Sequence, residues 1–316
     1  MGTSLGGCAS SLLAQSPRYD AAELTGNPTM LVATTRKPVN GARAKPWFGG
    51  ERAKMTVARA RLTPPSDSRF SLAAVGLTDW QLDGVEPASR IGDLFGAPGE
   101  ARDVLVYVHG YNNSFEDAVL DAARLADGIR FRGEILAFSW PSRAKLSEYV
   151  YDRESAMWSR DAHEQVLAGL MASPTTGRIH VVGHSIGTML AMESLRQIYA
   201  RQGAAAADRI GAVVFASPDI DLDGFVSSVE RIGPLAPKIV VVTATNDRAL
   251  AVSSFLAGGI TRVGAAEKAE LTRLGLHVID ASQQGWGIIN HDLFLSNDKV
   301  RQVIRRAIDG RPVDGA

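Results

Sequence analysis

Short apolar runs recur along the chain from about residue 104 onward. Each spans four or five residues, mostly without alternation of apolar and polar positions, which is typical of parallel strands covered on both faces. Two earlier segments, Thr29–Arg36 and Met55–Leu62, also predict strands, and the second alternates as a partly exposed strand does. The later runs are Val104–Val108, Ile135–Ser139, Ile179–Val182, Ala212–Ala216, Ile239–Thr243 and Leu276–Ile279.

Helical patterns lie between most of these runs. The predicted helices are Ser114–Ile129, Ser155–Met171, Thr188–Arg201 and Val300–Ile308. Alternating strands and helices predict an α/β fold, namely a doubly wound, mostly parallel sheet with helices on both faces. No internal repeat or low-complexity linker divides the chain. We therefore expect a flexible lead-in over residues 1–28 and a single domain over residues 29–316.

Composition narrows the class of protein further. The 316 residues are 45% hydrophobic and 22% charged, which suits a globular protein with a sizeable core. Lysine plus arginine and aspartate plus glutamate both number 34, so no bulk charge favours nucleic acid. The single cysteine, Cys8, excludes an internal disulfide and a cluster of cysteine metal ligands. No apolar stretch approaches the ~18 residues of a membrane span.

The start of the chain leaves its compartment open. Leu5-Gly-Gly-Cys8 resembles the lipobox that precedes the acylated cysteine of bacterial lipoproteins, but only seven residues come before Cys8. One interpretation is a chance cysteine in a weakly ordered N-terminus, with a cytoplasmic protein as the chain stands. The other is a longer precursor, which would give a periplasmic protein anchored by lipid through Cys8.

The strongest chemical signal is Gly183-His-Ser-Ile-Gly187, placed between a buried-strand pattern and a helix. A serine at such a sharp strand-to-helix turn has a strained backbone and projects its Oγ above the sheet. The flanking glycines leave room where side chains would collide with backbone. We therefore predict Ser185 as a nucleophile; the alternative is a structural turn serine.

A second turn, His109-Gly110, ends the strand Val104–Val108 and leads into a helix. Acyl transfer needs two donors aimed at the developing oxyanion. The amide after the serine, on Ile186, supplies one, and the amide of Tyr111, or else of Asn112, is the expected second. His109 itself is expected to organise this loop rather than to act as the base.

The chain resembles the α/β-hydrolase superfamily, and within it the bacterial esterase- and lipase-like group known as α/β hydrolases of unknown function. The resemblance covers about residues 29–308. A Gln283–Gly287 loop before the last histidine departs from the family pattern. The matching pieces are Val32–Arg36, His109–Asp117, Phe138–Ser142, Tyr151–Ser155, Gly183–Gly187, Ser217–Asp221, Asn246–Leu250 and Asn290-His291.

In that fold the triad follows the chain order serine, acid, histidine. Asp247 ends the strand that begins at Ile239, and His291 lies in a late loop, so these are the expected acid and base. Asp219, which also ends a strand, stays open as the alternative acid. The remaining histidines, His163, His180, His184 and His277, are expected in packing or surface roles.

Other conspicuous side chains carry two interpretations each. Trp140, Tyr149, Tyr151 and Trp158 either wall an acyl pocket or pack in the core and loops. Four arginines could bind an anionic substrate, but we expect them to be solvated or ion-paired; they are Arg36, Arg143, Arg153 and Arg160.

Together these features predict a serine-dependent carboxylic ester hydrolase that forms an acyl-enzyme, with a small-molecule ester as its partner. No cofactor or metal motif is present, so none is expected. The oligomeric state does not follow from the sequence. The same triad also supports acyl transfer or hydrolysis of amides or thioesters. A third alternative is a non-catalytic envelope protein that keeps the fold as a binding module.

Overall fold

The structure is a computed structural model that describes residues 28–65, 79–88, 101–256, 259–282 and 292–313. Within these ranges lie nine strands and ten α-helices. The strands are β1 Thr29–Pro38, β2 Phe48–Thr63, β3 Gln81–Ala88, β4 Arg102–Val108, β5 Glu134–Ser139, β6 Thr176–His184, β7 Ile210–Ala216, β8 Ile239–Thr243 and β9 His277–Asp280. The helices are α1 Phe115–Gly128, α2 Tyr149–Trp158, α3 Arg160–Ala172, α4 Ile186–Gln202, α5 Ala204–Arg209, α6 Leu222–Arg231, α7 Arg248–Leu256, α8 Lys268–Thr272, α9 Leu293–Ser296 and α10 Asp298–Ile308.

All nine strands described form one sheet in the order β3-β2-β1-β5-β4-β6-β7-β8-β9. The pairs from β1–β5 through β8–β9 are parallel, whereas β2 runs antiparallel to both β1 and β3. This confirms the predicted mostly parallel α/β sheet. After β4 the chain crosses toward β1, and after β6 it crosses the other way. The ends of β4 and β6 therefore form a switch point, where ligands bind in open α/β sheets.

Two apolar cores cover the two faces of the sheet. On one face α4 packs Leu190 and Leu195 against Val106 of β4; on the other α1 packs Phe115 and Val119 against neighbours that include Tyr107 of β4. Successive β4 side chains enter opposite cores because side chains alternate along a strand. Burial on both faces is why these strands read as continuous apolar runs.

The sequence predicts the two strands at the antiparallel edge, β2 and β3, less well than the parallel strands. Strand β2 begins seven residues before the predicted Met55–Leu62 and ends one residue after it. Strand β3 was not predicted, because its sequence, QLDGVEPA, includes a glycine, a proline and three charged or polar residues. Buried and exposed residues are mixed along β3, and it pairs only with β2 among the strands described. Edge pairing of this kind needs little apolar content.

The single helix expected over Ser155–Met171 is wrong: the structure divides the segment into α2 and α3 at Ser159. The Ser159 hydroxyl donates to the Ser155 carbonyl (2.8 Å) and also bonds the Thr35 hydroxyl of β1 (2.8 Å). Serine that bonds back to the preceding turn bends a helix. The side-chain bond to a distant strand fixes the bend here.

We predict that Gly187→Ala destabilises the fold by about 1–3 kcal/mol or more, the usual cost of overpacking. An added methyl carbon would lie 2.2 Å from the His109 carbonyl oxygen and 2.6 Å from that of Val108, so α4 and β4 would have to separate. Urea denaturation measures the effect.

The matched control is Gly233→Ala, where the added carbon meets nothing within 4 Å. Its change in unfolding free energy should stay within about 1 kcal/mol. Equal losses in the two variants would contradict the close approach of α4 to β4.

Candidate active site

Ser185 lies at the switch point, between the last residue of β6 and the first residue of α4. Its backbone has φ 51° and ψ −122°, outside the regions that residues with a side chain ordinarily occupy. Such a conformation costs of order 1–3 kcal/mol and persists only where the surroundings impose it. Although serine is a preferred N-cap residue, its side chain makes no capping bond to α4.

Backbone contacts hold Ser185 in this conformation. Its amide donates to the Ala216 carbonyl (3.0 Å), while its own carbonyl accepts from the amides of Thr188 (3.1 Å) and Asp219 (3.2 Å). The Thr188 hydroxyl also donates to that carbonyl (2.5 Å). Contacts on both sides of the residue thus fix the direction of its side chain.

The His109-Gly110 turn packs directly against Ser185. A methyl carbon on Gly110 would lie 3.0 Å from Ser185 Cβ and 2.7 Å from His184 Nδ1, so only glycine fits there without a shift. The amide of Tyr111 follows in this turn, and the amide of Ile186 is the first of α4, where N–H groups lack intrahelical acceptors. The expected oxyanion donors are therefore on the two segments that meet at the serine.

His109 is buried in this turn. Its ring stacks on Trp140, with centroids 4.4 Å apart, and the Trp140 indole donates to the His109 carbonyl (2.8 Å). Nδ1 lies 2.8 Å from the Gly110 carbonyl oxygen, and Nε2 lies 3.0 Å from the Trp140 carbonyl oxygen and 3.4 Å from Arg36. Burial, and next the Arg36 cation, lower the pKa of His109 well below the usual histidine value. This ring is held as a packing element.

Arg36, near the end of β1, is buried rather than solvated, with 1% exposure. Its guanidinium donates to the Ser139 hydroxyl (2.8 Å) and to backbone carbonyls of Ser142 (2.7 Å), Asn113 (2.7 Å) and Gly49 (3.2 Å). The expectation of a solvated or ion-paired arginine is wrong at this position, because carbonyl oxygens converge on it from three segments. Burial lowers its pKa to about 10, so it stays a cation at neutral pH.

Asp152 on α2 provides the opposing charge. It is fully buried, and its carboxylate accepts from the Ser142 hydroxyl (2.5 Å) and from the amides of Arg143 (2.9 Å) and Asn112 (3.2 Å). Burial raises the pKa of this carboxyl, and the hydrogen bond from Ser142 opposes that rise. Asp152 and Arg36 together join the loop after β4 to the loop after β5.

The candidate acid Asp219 belongs to a buried network of hydrogen bonds and an ion pair. Its Oδ2 accepts from the Tyr149 hydroxyl (2.8 Å), and its Oδ1 accepts from the Ser253 hydroxyl (2.6 Å) and lies 3.1 Å from Arg262 Nε. Arg262 is itself only 2% exposed. Both carboxylate oxygens of Asp219 therefore have protein partners, one of them a buried cation.

The other candidate acid, Asp247, follows β8 and is 2% exposed. Its Oδ1 accepts from the amides of Ala249 (2.9 Å) and Leu250 (3.3 Å) at the start of α7. The expected base, His291, and the Gln283–Gly287 loop lie outside the described residues. The structure thus brings Ser185 together with the Gly110 turn, while the geometry of the triad stays a prediction.

The remaining histidines occupy the elements that the sequence predicts for them. His163 on α3 is buried edge-on against Phe138 (4.8 Å), and burial lowers its pKa to about 3. His180 is buried in β6, whereas His277 is exposed in β9. His184 packs beside Phe294 (4.7 Å), and its Nε2 lies 3.5 Å from Asp292.

Two further searches cover the described residues only. No helix among them is long and apolar enough to cross a membrane. Nor do three or more histidine, cysteine, aspartate or glutamate side chains among them gather as a metal site would require.

Comparison with a family model aligns residues 97–307, about two thirds of the chain, with a family described as alpha/beta hydrolase of unknown function (DUF900). The chain belongs to this family. A curated relative, the uncharacterized protein alr1448 of Nostoc sp., is 23% identical over 122 residues. That segment is 31% of this chain and 32% of the relative, so the match spans about a third of the relative's length.

Solved structures that align with this alpha/beta hydrolase family member include three esterases. Est1E from Butyrivibrio proteoclasticus is 12% identical with a TM-score of 0.42, covering 80% of this chain and 96% of its own. The acetyl xylan esterase catalytic core from Trichoderma reesei is 12% identical with a TM-score of 0.40, covering 67% and 100%. A Pyrobaculum calidifontis esterase is 14% identical with a TM-score of 0.37, covering 92% and 87%.

For this family member we predict that Arg36→Lys lowers the unfolding free energy by about 3 kcal/mol, because an ammonium cannot serve all the carbonyls that the guanidinium reaches. Urea denaturation of the purified protein at neutral pH measures the loss.

The control is Arg61→Lys. Arg61 is half-exposed and lies 3.5 Å from Glu86, a surface pair worth ~0–1 kcal/mol. A loss at Arg36 no larger than the loss at Arg61 would contradict the role assigned to the buried guanidinium.

Proposed function

We propose that this chain is a serine hydrolase of carboxylic esters that works through an acyl-enzyme. The observation that carries the proposal is the backbone of Ser185, with φ 51° and ψ −122° between β6 and α4 and the Gly110 turn against its Cβ. A strained serine held at a switch point, with its side chain unused by the helix it precedes, suits a nucleophile. The family description is compatible with this chemistry.

In the proposed reaction, Ser185 Oγ attacks the ester carbonyl while His291 takes its proton. The histidine returns that proton to the departing alcohol, which leaves an acyl-serine. Water, activated by the same histidine, then releases the acid and restores the serine. The amides of Tyr111 and Ile186 would donate to the oxyanion in both steps. Their support is that both segments pack at Ser185, in a turn that the contacts of Arg36 and Asp152 hold in place.

The acid in this proposal is Asp247, which would orient His291 and stabilise the imidazolium. The support is comparative. Asp219 neutralises the buried Arg262 and bonds two hydroxyls, so recruiting it for a histidine would break contacts already made. The contacts of Asp247 through Oδ1 are with amides at the start of α7, which an aspartate can make while serving as the acid.

The first test concerns the nucleophile. Ser185→Ala should lower kcat toward p-nitrophenyl esters by about 10³–10⁶, since triad members act as a unit. An organophosphonate should modify Ser185 in the wild-type protein, as peptide mass spectrometry would detect.

Ser217 provides a matched control, because it is also buried, has a positive φ (46°) and follows the neighbouring strand β7. Ser217→Ala should keep most of the activity and the labelling. Labelling at Ser217, or full activity in Ser185→Ala, would overturn the proposal.

The second test distinguishes Asp247 from Asp219, because we expect one variant to lose activity and the other to lose stability. Asp247→Asn should lower kcat by about 10⁴ through the wrong histidine tautomer. Its loss of stability should be smaller than that of Asp219→Asn, because the asparagine carbonyl can still accept from the amides of α7. Asp219→Asn should instead lower the unfolding free energy by about 3–5 kcal/mol, since it leaves the Arg262 cation buried and unpaired.

Both variants are assayed at low temperature, with rates expressed per folded molecule from a parallel circular dichroism measurement. If Asp219→Asn loses the larger factor in kcat per folded molecule, the acid comes from the end of β7 and the assignment to Asp247 is wrong.

A further inference from the structure

A cavity of about 950 Å³ lies at the edge of the sheet opposite Ser185, at the amino ends of β4, β5 and β6. Arg178 and Ser185 are near the two ends of β6, about 23 Å apart at the rise of a parallel strand. A ligand in the cavity therefore would not touch the candidate active site. Five arginines line it, which are Arg102, Arg130, Arg132, Arg178 and Arg305.

The acidic residues of the cavity do not balance this charge. Asp103 accepts from the Arg178 amide (2.7 Å) and lies 3.6 Å from His180 Nε2. Asp309 is shared between Arg305 (3.8 Å) and Arg311 (3.7 Å). Two carboxylates thus line the cavity with five guanidiniums, so their negative charge offsets only part of the positive charge.

Among the described residues, Arg102 pairs with Glu134 (3.3 Å), but the guanidiniums of three other lining arginines form no ion pair. They are Arg130, Arg132 and Arg178, and all three are exposed. Unpaired like charges gathered in a concavity repel one another and attract anions. Repulsion among these arginines therefore destabilises the free protein, and a bound polyanion would relieve it.

The backbone at Arg130 gives a second, independent indication. The Arg130 amide donates to Asp127 (2.9 Å) and the Phe131 amide to Ala126 (2.9 Å), which closes α1 in the manner of a Schellman motif. In that motif the residue after the cap has a positive φ and is usually glycine. Here it is arginine, with φ 53°. An arginine thus occupies a position beside the cavity whose positive φ glycine would adopt at a lower cost in free energy.

We propose that this cavity binds a small molecule that carries two or more phosphate groups. Guanidiniums match phosphate oxygens through paired, charge-assisted hydrogen bonds, and several arginines can share one polyphosphate. The cavity volume lies in the range of small-ligand sites. Its concave shape suits a compact ligand better than a flat membrane surface.

The experiment titrates tripolyphosphate into the full chain by calorimetry at low and physiological salt. Binding should be measurable and should weaken with salt, because the contacts are ionic. Arg178→Gln should weaken Kd about tenfold, as expected for loss of one charge-assisted contact. Arg130→Gly should weaken Kd similarly while leaving the unfolding free energy unchanged or higher, because glycine adopts a positive φ freely.

Arg231→Gln is the matched control, because it removes the same charge from an exposed position at the end of α6, outside the cavity. It should leave Kd within about twofold. Equal weakening by this control, unchanged affinity in the cavity variants, or no binding at millimolar tripolyphosphate would each overturn the proposal.

Co-sedimentation with phosphatidylglycerol vesicles distinguishes a free ligand from a lipid headgroup. The proposal expects tripolyphosphate to bind and to compete with any vesicle binding. Vesicle binding that needs Arg178, without binding of tripolyphosphate, would overturn it in favour of a membrane surface.

Discussion

The candidate site depends on two buried opposite charges, Arg36 and Asp152. Burying either charge alone would cost several kcal/mol, so each is stable only with its hydrogen bonds made. Most of those bonds are with backbone or hydroxyl groups of the loops that follow β4 and β5. The loops can move only if these bonds break, which would leave a charge buried without its partners. The turn beside Ser185 is thereby held rigid by segments that take no part in the proposed chemistry.

Rigidity of this kind is what a strained nucleophile requires. The conformation of Ser185 costs free energy that neighbouring structure must offset. Close packing supplies part of that support, because Gly187 lies against the carbonyls of β4 and Gly110 lies against the serine. The same contacts that make these positions intolerant of a side chain bring the expected oxyanion donors to the serine. The contacts of Gly187 and Gly110 thus serve both the packing of the fold and the proposed placement of the oxyanion donors.

Local patterns in the sequence were sufficient for the parallel strands of the sheet and for the position of Ser185, but not for the antiparallel edge strand β3. Apolar runs without alternation predict buried parallel strands, and the Gly183–Gly187 motif marks the sharp turn after β6. Tertiary contacts decided the rest. Arg36 bonds a carbonyl 106 positions away, so its burial leaves no trace in its own neighbourhood, and the sequence predicted an exposed or paired arginine. The bend at Ser159 is also a tertiary effect, since it depends on Thr35.

The pairing of β1 with β5 bears on how this protein could be divided. The segment that matches the family begins at residue 97 and so omits β1, β2 and β3. A fragment cut to those limits would expose the edge of β5 and lose Arg36, leaving the Asn113 and Ser142 carbonyls without their donor. The segment that matches the family is therefore shorter than the unit whose contacts hold the candidate site. The N-terminal strands thus supply both the partner of β5 and the guanidinium that bonds the Asn113 and Ser142 carbonyls.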